Sequence, residues 1–96
     1  MIFDPVNVLT AENVDSQDAL WPVWCEVIGK DLAAVHVKDA VLHPDAPRTP
    51  TALGAGQMDY TVIREWLHRG HPTAALLRDE VILPVAQEDL AYMRTL

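Results

Sequence analysis

Asp4, His36 and a carboxylate from the pair Asp79-Glu80 are side chains of the kinds that bind divalent metals, and each closes a short apolar run: IFDPVN at 2–7, AAVHVKDAV at 33–41 and ALLRDEV at 75–81. Two carboxylates and an imidazole form an oxygen-rich, borderline-hard donor set suited to Mn²⁺, Co²⁺, Mg²⁺ or Zn²⁺. An ion so held polarises the carbonyl and adjacent hydroxyl of a sugar and eases removal of the proton alpha to the carbonyl. Taken singly, each residue also has a plain reading. An Asp before Pro is commonly a turn residue, and a lone His in a strand is more often structural.

The elements that must position these residues follow from periodicity. Met1 to Phe3 read as a strand that Pro5 ends by removing a donor and fixing φ. Residues 8–18 are rich in turn and cap formers and lead into a helix over Gln17–Ile28, with Leu20, Val23, Trp24 and Val27 as its apolar face, Pro22 in its first turn and Gly29 at its end. Leu32 to Val37 give a second strand. Ala40 to Gln57 read as a long loop carrying Pro44, Pro47 and Pro50 and closed by Gly-Ala-Gly at 54–56. Asp59 is placed to cap a helix over Tyr60–Arg69, with Val62, Ile63, Trp66 and Leu67 on its apolar face. Ala74 to Leu77 make the third strand. A last helix over Gln87–Arg94 points Leu90 and Met93 inward. The order is βαβαβα, an α/β class of three consecutive βα units on parallel strands, with chemistry at the strand C-termini.

Strand alternation decides which residues share a face. With His36 on the inner face, Ala34 and Lys38 join it, and Val35 and Val37 turn to the helices. Asp4 brings Ile2 with it and leaves Phe3 to the helices. On the third strand, Asp79 inward brings Leu77 and Ala75 and sends Arg78 outward. Glu80 inward would instead bury Arg78 in the interior unless an acid pairs with it. The first register is cheaper and favours Asp79 as ligand.

Composition limits the function classes. The 96 residues make one domain at most, and 50% hydrophobic content is enough for a packed interior. A formal net charge of -7 argues against a nucleic-acid partner, which needs a basic stripe. Cys25 is the only cysteine, so no intrachain disulfide forms and a cytoplasmic location is expected. No apolar run approaches a membrane span, and the first residues lack a secretory signal.

Four segments together, FDPVN at 3–7, HVKD at 36–39, GAGQMDY at 54–60 and LLRDEV at 76–81, resemble the xylose isomerase-like TIM barrels, the sugar phosphate isomerase/epimerase group related to endonuclease IV. The likeness runs in the family's order over essentially the whole chain. It implies a single partial barrel domain over residues 1–96, corresponding to strands 6–8 of a (β/α)8 barrel. It further implies Asp4, His36 and Asp79 as metal ligands, Asp79 and Glu80 as the catalytic acids, and Asn7, Lys38 and Asp39 beside a small sugar substrate. Two departures stand out: Asp79-Glu80 replaces an expected Glu-Glu pair, and Arg78 stands where the family has an apolar residue. A fourth ligand, a Glu from an earlier strand, has no counterpart in these residues. The expectation is therefore a C-terminal part of a divalent-metal-dependent isomerase or epimerase, silent until another chain or segment supplies strands one to five. An endonuclease IV-like repair enzyme is disfavoured by the acidic charge and by the lack of further His and Glu ligands.

Other residues are ambiguous. Arg48, in the long loop, is a candidate for a sugar phosphate or a carboxylate, against the commoner solvated arginine. Gly54 and Gly56 would suit a phosphate cradle or a plain turn. His43, His68 and His71 lack ligand spacing and read as surface residues, and the three tryptophans as core. A three-stranded parallel sheet with helices on one face leaves Ile2, Ala34, Ala75 and Leu77 toward water. A homodimer that buries them is expected, and its alternative role is a non-catalytic half-barrel remnant.

Overall fold

A computed structural model describes residues 1–96 as a mixed α/β domain built on a small parallel sheet. In chain order the elements are β1 (Ile2–Phe3), α1 (Leu20–Ile28), β2 (Ala34–Val37), β3 (Asp39–Val41), β4 (Thr49–Thr51), α2 (Thr61–Gly70), β5 (Ala75–Arg78) and α3 (Ala86–Met93). The three-stranded sheet has the order β1-β2-β5, all parallel. Register pairs Ile2 with Ala34, Phe3 with Val35, His36 with Leu77 and Val37 with Arg78. No helix is long and apolar enough to cross a membrane.

That register splits the sheet as the alternation predicts. Phe3, Val35 and Val37 are buried under the helices, while Ile2 and Leu77 stand exposed on the opposite face. Ala34 departs from the expectation. It lies on the bare face but is buried, because the central strand is flanked on both sides. The buried side is organised around Phe3. Its ring stacks on Trp24 at 6.0 Å and meets Trp21 and Trp66 edge-on at 6.2 and 6.4 Å. Such aromatic contacts add about 0.5–1.5 kcal/mol each beyond area burial. Here they fix a strand of only two residues, and with it Asp4.

The helices depart from expectation in phase more than in place. A 3-10 segment over Val14–Ala19 precedes α1, which therefore starts three residues later than the spacing suggests. The tighter winding rotates the helix on entry. Trp21, Cys25 and Ile28 become its buried face, and Val23 and Val27 of the expected stripe are exposed. Gly29 ends it at φ +54, a conformation glycine takes without a Cβ penalty. On α3, Leu90 is exposed and its neighbour Asp89 is buried, the reverse of the hydrophobic expectation. Asp89 turns inward because it meets Arg78 there.

The long loop expected over residues 40–57 is in part an antiparallel hairpin. β3 and β4 pair Asp39 with Thr51, Ala40 with Pro50 and Val41 with Thr49. Pro50 donates no hydrogen bond, which a two-stranded edge ribbon tolerates and a central strand does not. Asp59 acts as expected at the start of α2, though one residue before the cap: its Oδ1 accepts from the Thr61 backbone N–H at 2.9 Å.

Candidate metal centre

Asp4 follows β1 directly, His36 is the third residue of β2, and Asp79 follows β5. Parallel register and side-chain alternation bring all three to the bare face at the C-terminal end of the sheet. One ligand atom from each lies within 4.8 Å of the others. His36 Nδ1 is 3.4 Å from Asp4 Oδ2 and 3.7 Å from Asp79 Oδ2. Between the carboxylates sits the Lys38 ammonium, 2.9 Å from Asp4 Oδ2 and 3.1 Å from Asp79 Oδ2. The hydrogen bond from Lys38 is the largest cause holding the Asp79 carboxyl below the usual carboxylate range; the Glu80 N–H and the nearby charges of Lys38 and His36 act in the same direction.

The donor set fits a divalent cation on two observations. A positive group already occupies the space between the carboxylates, with only 3% of its side chain exposed. Asp4 Oδ1 is buried and has no hydrogen-bond partner, so the cluster keeps unused acceptor capacity. Asp4, His36 and Asp79 line no enclosed cleft. A hollow of about 300 Å³ between Leu9, Glu12, Leu42 and Arg48 is lined by none of the three.

Other residues singled out in the sequence take varied places. Lys38 does more than line the site, since it is the central cation of the cluster. Its backbone is fixed by Tyr60, whose hydroxyl donates to the Lys38 carbonyl at 2.8 Å and accepts from the Lys38 N–H at 3.0 Å. Burial pushes the Tyr60 phenol well above its ordinary pKa, so it remains a donor. Asp39 does not line the site. It is buried, and its carboxylate accepts backbone N–H bonds from Ala40, Gly54, Gly56 and Met58 at 2.8–3.1 Å. The Gly-Ala-Gly segment is thus an anion cradle after all, and the anion is a side chain of the same protein. Glycine is required at position 56, where a Cβ would collide with the Asp39 carboxylate and the Ala40 backbone.

Arg48 forms an ion pair within the chain: its Nη2 is 2.8 Å from Glu80 Oε1. Glu80 itself has φ +54, a left-handed conformation that costs about 1–3 kcal/mol in a non-glycine residue. Its second oxygen, Oε2, and Arg48 Nε are buried without partners. Asn7 is exposed on the 3-10 turn over Pro5–Val8 that follows β1. His43 and His68 are exposed, whereas His71 is half-buried against Trp66 at 4.5 Å.

Sequence reasoning missed the pair that braces β5. Arg78 leaves the bare face, as the preferred register requires, and its Nε and Nη2 each lie 2.9 Å from Asp89 Oδ2. The same guanidinium donates to the carbonyls of Val37, Thr51 and Asp79. The signal available was the Arg78 anomaly itself: an arginine in an apolar strand calls for a buried acid, and Asp89 sits on a helix whose inward face looks apolar in sequence.

No family model matches this chain, and neither does any curated protein or solved structure.

Proposed function

We propose that residues 1–96 are three βα units of a (β/α)8-type barrel, and that they carry part of the divalent-metal centre of a sugar or sugar-phosphate isomerase or epimerase. The observation that carries this reading is the convergence of Asp4, His36 and Asp79 from the C-terminal ends of three adjacent parallel strands, where α/β enzymes keep their chemistry. Mn²⁺, Co²⁺, Mg²⁺ or Zn²⁺ would be held by these three side chains and would polarise the sugar carbonyl. Glu80 is the one carboxylate left for proton transfer, with Oε1 turned to Arg48 and Oε2 without a hydrogen-bond partner. Arg48, paired with Glu80, is the loop arginine proposed to meet an anionic substrate. A fourth ligand and a second proton-transferring acid have no place among these residues, so the chain alone is expected to be catalytically silent. Isothermal titration of Mn²⁺ into metal-free protein tests the centre. The expected result is one weak site per chain, abolished by Asp4→Ala and by His36→Ala. Binding that survives both substitutions sinks the proposal.

A second reading, a non-catalytic half-barrel that persists as a homodimer, is favoured by the bare face. Ile2 and Leu77 are 54% and 44% exposed there, and β1 and β5 are open sheet edges. Parallel sheets are normally covered on both faces, and a second copy supplies the cover with the least new structure. Light scattering at low micromolar concentration is expected to give a dimer mass, and a monodisperse monomer refutes it.

A further inference from the structure

The ammonium of Lys38 stands where a metal ion would have to stand. It is within hydrogen-bond distance of Oδ2 on both Asp4 and Asp79, and these are the same two oxygens that face His36 Nδ1. An ion bound by those three atoms would share the lysine's ligands at a separation of a few ångströms. Two cations so close repel strongly wherever water does not screen them. We infer that Lys38 is a tethered cation that competes with the metal for this cluster, and that metal binding expels its ammonium from between the carboxylates. The inference rests on the metal-centre reading and adds to it what gathers the ligands before loading and what loading must displace.

The rest of the site is built to permit that exchange. Lysine's charge sits on a flexible four-carbon stem and is readily hydrated once released. The bare face of the sheet gives it somewhere to go, since Leu77, beside His36 in the register, is half open to water. The lysine backbone stays put during the exchange, because Tyr60 holds both its N–H and its carbonyl. Asp4 Oδ1 supplies an acceptor that one ammonium leaves idle and an ion of higher charge could draw in. Before loading, Lys38 relieves the repulsion between Asp4 and Asp79 and keeps the ligands gathered.

The chain has two lysines, Lys30 and Lys38, which makes the exchange measurable. Lys30 lies exposed in the 3-10 turn Gly29–Asp31 and serves as the internal control. Metal-free protein is treated briefly with an N-hydroxysuccinimide ester, with and without Mn²⁺ up to millimolar concentration, and acylation is read at each lysine by peptide mass spectrometry. Lys38 is expected to be protected without metal and to gain roughly tenfold in labelling rate with Mn²⁺, while Lys30 is unchanged. In parallel, Lys38→Met is expected to bind Mn²⁺ about tenfold tighter than the wild type by calorimetry. If Mn²⁺ binds the wild type while Lys38 stays protected, or if folded Lys38→Met binds no tighter, the competition is refuted and the metal centre stands. If neither the wild type nor folded Lys38→Met takes up Mn²⁺, both fall. A silent wild type beside a binding Lys38→Met supports the competition in its strongest form. Should Lys38→Met fail to fold, the labelling of the wild type decides alone, and persistent protection of Lys38 overturns the inference.

Discussion

Asp39→Ala is expected to remove a large part of the folding stability of this domain. The carboxylate is 1% exposed and accepts four backbone N–H groups, from Ala40, Gly54, Gly56 and Met58. Alanine leaves those donors without a partner, two of them in buried hydrogen bonds and two only part-buried, and each buried unmet donor costs about 1–3 kcal/mol. Some will be rehydrated as the loop opens, so the net loss is put at about 4 kcal/mol or more, against the roughly 5–15 kcal/mol that holds a domain of this kind together. Urea denaturation followed by far-ultraviolet circular dichroism reads the effect. The milder substitution Asp39→Asn keeps one acceptor oxygen and should fall between alanine and the wild type. A loss under about 1 kcal/mol for Asp39→Ala would show that the loop is held by something else.

Asp89→Ala is expected to cost about 3–5 kcal/mol, by a different route. Asp89 is 2% exposed, and its loss leaves the Arg78 guanidinium charged, nearly buried and without its counter-ion. It also strands the Leu53 N–H, which donates to Asp89 Oδ1 at 2.8 Å. The damage should reach the candidate centre, because Arg78 also holds the carbonyl of Asp79. The mechanism has a sharp control. If an unpaired charge is the cause, removing both partners in Arg78→Met with Asp89→Leu should restore at least half of the lost stability, since apolar replacements of buried pairs are often neutral or better. A double variant as unstable as Asp89→Ala would point to packing in place of charge.

The parts of the site that strand periodicity controls were legible in the sequence. Alternation alone put His36 and Lys38 on one face and Val35 and Val37 on the other. The charge on Arg78 chose Asp79 over Glu80 as the residue facing the cluster. What alternation could not reach lies beyond the strand ends. Asp39 reads as the next member of His-Val-Lys-Asp. The chain leaves the sheet after Lys38, however, to pair with β4, and the carboxylate follows the hairpin and not the site. The hairpin itself was hidden by three prolines and by the lack of an apolar repeat. The α1 face was misphased because the preceding 3-10 segment fixes the entry angle, and no residue in it announces that winding. Asp89 defied its hydropathy because its partner lies eleven residues earlier on a strand. Pairwise charge satisfaction overrode the helical stripe.

The carboxylate seated in the glycine cradle bears on which anions the loop can hold. A phosphate arriving from solution would have to compete with an anion that is covalently attached to the same chain, and tethering gives such a rival a local concentration on the order of millimolar or higher. Only a ligand present well above that level, or one that rebuilt the loop, would take its place. On the proposed reading, a sugar phosphate would therefore have to be held by other groups, and Arg48 is already shared with Glu80.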